Sequence, residues 1–222
     1  MPVRRALLTL LLAALPLLPG LPGTAGASIP SSLQLGAEER QDLQQIQAYL
    51  NTSRTVEAQF QQTSSNGDHA TGRLFMSRPG KLRVEYTPPP AVLVVADGTF
   101  LIYHDKTLDQ VSYVPLSASP AGILLDKRIN LDDPALTITD VNDDGETVRI
   151  SLVRTESAGE GSLTMFFRKS PWQLAEWEVT DAQGITTRVS LADPVFGGSL
   201  DAKLFEFRNP RLPAEGDYPS GR

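Results

Sequence analysis

Few side chains in this sequence are able to do chemistry. The 222-residue chain has no cysteine and two histidines, His69 and His104. Without cysteine there is no thiolate nucleophile, disulfide, Cys-ligated zinc or iron–sulfur cluster. Two histidines do not make a three-His metal site, and both read as surface or strand-end residues. Asp140-Val141-Asn142-Asp143-Asp144-Gly145 matches the first half of a calcium loop, where spaced oxygen ligands converge on the cation. The closing position, which should be Glu, is Ser151. The flanks alternate as strands do, so the segment reads as a polar hairpin turn. Asp132-Asp133 before Pro134 reads as a loop. Paired carboxylates serve acid–base chemistry when a cleft holds them, and nothing in the pattern places these two in one. Ser199, in Gly197-Gly198-Ser199-Leu200, lacks the spacing of a nucleophile elbow, and no glycine-rich loop precedes a helix to cradle phosphate. Trp172 and Trp177 suit a sugar or lipid site, but their odd spacing puts them on opposite faces of a strand. The expectation is a protein with no catalytic constellation, no cofactor and no metal: not an enzyme.

What must position any site is mostly β-structure. Ala37–Leu50 has Leu43, Ile46 and Leu50 at helical spacing, with Glu38 and Glu39 in the first turn where the helix dipole favours anions. From Arg54 the period changes to two. Val56, Ala58 and Phe60 alternate with polar residues, as do Leu74 and Met76 ahead of the Arg78-Pro79-Gly80 turn, and Leu82, Val84 and Tyr86 beyond it. Ala91–Ala96 and Thr99–His104 flank Asp97-Gly98, a tight-hairpin dipeptide, and Gln110–Val114 follows. Ser119–Arg128 reads as a short helix with Ser119 as cap and Pro120 at its first position. Strand patterns resume at Leu136–Val141, Glu146–Arg154, Ser162–Arg168, Leu174–Thr180, Ile185–Leu191 and Lys203–Phe207. A sheet of so many antiparallel strands curls to bury its apolar face. The expected fold is mainly β (α+β), a curved antiparallel sheet with short helices over its open side. The inward side chains either fill the interior or leave a cavity for an apolar ligand, and the pattern fits both.

Met1–Ala27 has the parts of a secretory signal: Arg4 and Arg5, an apolar run from Ala6 to Leu18, and the small-x-small site Ala25-Gly26-Ala27. Cleavage after Ala27 leaves a leader (28–36), a single domain (37–212) and a flexible tail (213–222). The expected product is soluble and exported, and without a cysteine it has no acylated-Cys anchor. A net charge of −6 lacks the counterion-releasing surface that nucleic-acid binding needs.

Phe60-x-Gln62, Gly72-x-Leu74, Arg78-Pro79-Gly80-Lys81-Leu82-Arg83, Tyr86 and Pro90 follow one another in an order that resembles the outer-membrane lipoprotein carrier (LolA-type) family. The continuation fits as well: Val94-Val95-Ala96-Asp97-Gly98, Leu101-x-Tyr103, Gln110-Val111, Pro115-Leu116, Pro120, Leu124-Leu125, and finally Phe205-x-Phe207 with Pro210. The resemblance covers roughly residues 40–210. It implies an incomplete β-barrel of about eleven strands with a helical lid over a hydrophobic cavity. It also implies a monomeric periplasmic chaperone that takes acylated lipoproteins from an inner-membrane ABC-type release complex to the outer membrane, where a receptor receives them. That receptor has a similar fold but carries an N-terminal acylated cysteine, so a cysteine-free chain resembles the carrier.

Carried over position by position, the resemblance makes Arg78 the lid-closing residue, through bonds to lid backbone, and puts Leu82 at the cavity mouth. Alternation nominates Phe60, Leu74, Met76, Val84, Tyr86, Leu101 and Tyr103 for the cavity, and Ile123 and Leu124 for the lid. The chain departs from the family in having Phe100-Leu101-Ile102-Tyr103 where a tryptophan is common. Alternatives are a same-fold periplasmic lipid or glycolipid binder or sensor, a filled β-domain that binds only protein partners, and a hydrolase using scattered carboxylates.

Overall fold

The computed structural model describes residues 35–89 and 91–211. The expected signal segment, most of the leader and the tail from 213 lie outside them. One α-helix, α1 (Ala37–Thr52), precedes eleven strands: β1 (Thr55–Ser64), β2 (His69–Ser77), β3 (Lys81–Tyr86), β4 (Val92–Asp97), β5 (Phe100–Asp105), β6 (Gln110–Pro115), β7 (Leu136–Asp143), β8 (Thr147–Arg154), β9 (Gly161–Lys169), β10 (Trp172–Asp181) and β11 (Thr186–Phe196). They form one antiparallel sheet in the order β6-β5-β4-β3-β2-β1-β11-β10-β9-β8-β7. Every neighbour is a hairpin partner except β1 and β11, which join the first strand to the last. β6 and β7 remain edges, so the sheet is an open barrel, as the strand patterns and the resemblance lead one to expect.

The period-two pattern becomes the concave face. Leu74, Val84, Val94 and Tyr103 lie in register across four strands, and Met76, Leu82, Ala96 and Leu101 form the next row. Over this face lie Leu43, Ile46 and Leu50 of α1, and a 3-10 helix, Pro120–Leu125, termed here the lid turn. The lid turn is shorter than the helix expected to run to Arg128. Gly122 packs so closely that a Cβ would sit 2.1 Å from the Leu116 carbonyl oxygen, and the chain leaves helical geometry at Asp126.

α1 is tied to the segment after the lid turn by Asn51. Its side chain donates to the Ile129 carbonyl at 2.7 Å and accepts from the Ile129 N–H at 3.0 Å, while Gln47 accepts from the Leu131 N–H at 2.7 Å. Asn51→Ala strands both backbone groups of a buried residue, and should cost about 2 kcal/mol. Urea unfolding measures the loss, and hydrogen exchange at the Ile129 amide should speed up.

Four expectations need correction. Lys203–Phe207 is not a strand: Ala202–Phe205 is a 3-10 turn, and both flanks of β1 are already occupied by β2 and β11. The segment crosses the outer face of β3–β5 instead. Arg83 donates to the Leu204 carbonyl at 3.2 Å, and Phe205 is buried. His104 is therefore not a surface residue; it is buried on that outer face with its ring edge-on to Phe207, centroids 5.7 Å apart. The tryptophans do not fall on opposite faces, because β10 shifts register between Leu174 and Glu176. That bulge resets the alternation, so Trp177 is buried in the core and Trp172 packs against it. Finally, β11 runs past Leu191 to Phe196 through an irregularity at Asp193, whose φ is 48°. Of the Asp140–Gly145 segment, Asp140–Asp143 complete β7 and only Asp144-Gly145 lie in the hairpin turn to β8, where Asp143 and Asp144 accept from the amides of Gly145, Glu146 and Thr147 at 2.7–3.0 Å.

Candidate functional site

Under the lid turn the concave face leaves an apolar cavity of about 60 Å³, bounded by β1–β5, β10, β11 and Ala121 of the lid. Of the residues nominated from alternation and resemblance, Phe60, Leu74, Leu82, Val84, Tyr86 and Leu101 line it. Met76, Tyr103, Ile123 and Leu124 do not border the space. They are buried in the same core, with Ile123 wholly inaccessible. The side of the cavity formed by Trp177, Val179, Thr187 and Val189, and the polar Gln62, were not nominated.

The wall depends on one glycine. Gly72 pairs with Phe60 on β1 and Tyr86 on β3, and across it the two rings meet edge to face at 5.4 Å. Aromatic pairs favour that arrangement. The Tyr86 hydroxyl donates to Gln62 Oε1 at 2.8 Å, both residues being buried.

Arg78 is buried, 6 % exposed, at the turn between β2 and β3. Its guanidinium donates to the Ser53 carbonyl at 3.1 Å, at the C-cap of α1. There helix carbonyls lack intrahelical partners and the dipole favours a cation. Burial first, and then the charge of Arg54, pulls its pKa below the usual arginine value. The same turn reaches the lid by backbone: the Gly80 N–H donates to the Leu125 carbonyl at 2.8 Å. One turn thus grips both covering elements. At the lid's end Asp126 lies 3.8 Å from Arg154, and burial raises its carboxyl pKa despite that partner.

Burial pushes the Tyr86 hydroxyl well above the ordinary tyrosine range, with Tyr103 adding to the effect. The Tyr103 hydroxyl is pushed up to about 12, by burial and then by Asp105. An unfolded tyrosine ionises near 10. From about pH 10 to about pH 12 the unfolded chain therefore loses protons that the folded chain keeps, and stability falls as pH rises. Urea midpoints should be insensitive to these two groups below about pH 9 and fall above about pH 10. Tyr103→Phe should make that fall shallower.

The family model described as outer membrane lipoprotein carrier protein LolA matches residues 51–208. A protein of Chromobacterium violaceum described as an outer-membrane lipoprotein carrier protein is 31 % identical over 174 residues, 75 % of this chain and 83 % of that one. Proteins with the same description from Dechloromonas aromatica (31 % identity, 84 % of this chain and 90 % of that one) and Methylococcus capsulatus (30 %, 74 % and 82 %) are similar over comparable lengths. With the family model spanning most of the sheet, this chain belongs to the LolA family of outer membrane lipoprotein carrier proteins.

Proposed function

We propose that this chain is a periplasmic chaperone that shields the acyl chains of lipoproteins. It receives them from an ABC-type release complex in the inner membrane and delivers them to a receptor at the outer membrane. The observation that carries this reading is an apolar cavity under the lid turn, on a concave face that α1 also covers, both elements being held through a few hydrogen bonds. Each buried CH₂ contributes about 0.8 kcal/mol, so a long alkyl chain needs only a dry concave wall. No bond chemistry is required of the protein.

Size decides what state the structure represents. An apolar cavity of about 150 Å³ admits a benzene-sized molecule, and this one has about 60 Å³. Acyl chains therefore need more room than this space gives, and loading requires the elements packed over the concave face, the lid turn and α1, to move aside. Cargo then binds the open state and shifts the population toward it. With the two states near balance, each partner needs only a few kcal/mol of preference to load or unload the carrier. The absence of cysteine in the chain supports carrier over receptor, since a thioether-linked lipid has no attachment point.

The test is release from membranes. Inner-membrane vesicles holding the release complex and a labelled lipoprotein are given ATP and the purified protein without its first 27 residues. Labelled lipoprotein should appear in the supernatant in proportion to added protein. Retention of all label in the vesicles would contradict the proposal.

A further inference from the structure

The inward alternation of β1 runs Val56, Ala58, Phe60, Gln62, so an amide occupies a position where the pattern calls for an apolar residue. Gln62 is 5 % exposed and borders the apolar cavity, together with Tyr86 and with Thr187, also 5 % exposed. The three cluster at one end. Thr63 pairs with His69 and Ser64 with Thr187, near the β1–β2 hairpin, whereas Arg78 follows the opposite end of the same strands, where Thr55 pairs with Ser77. The cavity thus has a polar end remote from the Arg78 turn and an apolar body of Phe60, Leu74, Val94 and Leu101.

The hydrogen bonding leaves a defined valence. The Tyr86 hydroxyl donates to Gln62 Oε1 at 2.8 Å, which orients the amide and leaves the two N–H groups of Nε2. Among the described residues the Gln62 side chain makes no other hydrogen bond, and its nitrogen is not among the sealed, partnerless polar atoms. Those donors therefore stay open to the cavity. A pure donor in an apolar chamber matches an acceptor attached to an alkyl chain, and burial keeps Tyr86 protonated and donating at any physiological pH.

We propose that Gln62, oriented by Tyr86 and flanked by Thr187, is a carbonyl subsite that docks the ester group of an acyl-glyceryl moiety while its alkyl chain runs past Phe60 into the cavity. This rests on the carrier reading and adds to it a direction: the polar junction of the cargo sits at the β1–β2 hairpin end.

The test compares dipalmitoylglycerol with its ether analogue dihexadecylglycerol, which has the same chains without carbonyls, as competitors of a fluorescent fatty-acyl probe on the purified protein. The wild type should favour the ester by about fivefold, the value of one neutral hydrogen bond. Gln62→Leu should bring the ester/ether ratio near one. Tyr86→Phe, which keeps the ring against Phe60, should lower it as well and serves where Gln62→Leu does not fold. Comparing ratios between proteins cancels differences in lipid solubility. Equal binding of ester and ether by the wild type, or a preference that persists in folded variants, overturns the subsite and leaves the carrier reading standing. Binding of neither lipid nor probe overturns both.

Discussion

Gly72→Ala is expected to lower stability by about 3 kcal/mol, the upper part of the usual overpacking range. A Cβ at this position would lie 2.0 Å from the Glu85 carbonyl oxygen and 2.8 Å from Phe60 Cε1. The first contact is with the backbone of the neighbouring strand, so no side-chain rotation relieves it. β2 and β3 must part, and Phe60 and Tyr86 lose their edge-to-face contact, which is the wall of the cavity. For a domain of this size the melting temperature should drop by about 6–12 °C. Gly198 is the control: a Cβ there meets nothing within 4 Å, and Gly198→Ala should stay within about 0.5 kcal/mol. Equal melting temperatures for the two variants would mean that the β2–β3 spacing does not constrain the site.

Arg78→Leu is expected to trap cargo, beyond the modest loss of folding stability that removing one native hydrogen bond brings. In the closed state its guanidinium donates to the end of α1, and hydrogen bonds to charged groups are worth about 1.5–3 kcal/mol. On the proposed carrier cycle, unloading would return the chain to that closed state, and the bond would contribute to the drive for release. Weakening it by about 2 kcal/mol shifts the unloading equilibrium roughly thirtyfold toward the loaded form. The variant should accept lipoprotein and then hold it, which a two-step assay of uptake followed by transfer to acceptor membranes separates. Release at the wild-type rate and extent would remove Arg78 from the closing device.

The strand content was legible because alternation in a one-sided sheet is strict: Leu82, Val84 and Tyr86 all emerge on the concave face. Hairpins marked by Asp97-Gly98 and Asp144-Gly145 were equally plain. What escaped depended on events outside a local window. The bulge between Leu174 and Glu176 brings both tryptophans to the same face, and its residues carry no signature of it. Pro194 lies within β11 because the strand is irregular there; a proline normally argues for a strand's end. Lys203–Phe207 reads as a strand, but its partner is a sheet face, not an edge.

The site was readable in part for the same reason. Alternation finds apolar lining on β1, β2, β3 and β5, but omits Val94 of β4 and also Gln62, although Gln62 shares the parity of Phe60. Counting polar residues at inward positions would have found it. The contribution of β10 and β11 follows from the β1–β11 pairing, a contact between residues far apart in the chain. Arg78 was visible through the family resemblance, but its acceptor, the Ser53 carbonyl, required the structure.

The proposed function requires this cavity to open and take acyl chains. The direct test is native mass spectrometry of the protein without its first 27 residues, mixed with a triacylated lipoprotein. A one-to-one complex that stays soluble without detergent is expected, and no complex with the same lipoprotein lacking its acyl chains. A precipitated lipoprotein with no adduct on the carrier would contradict it.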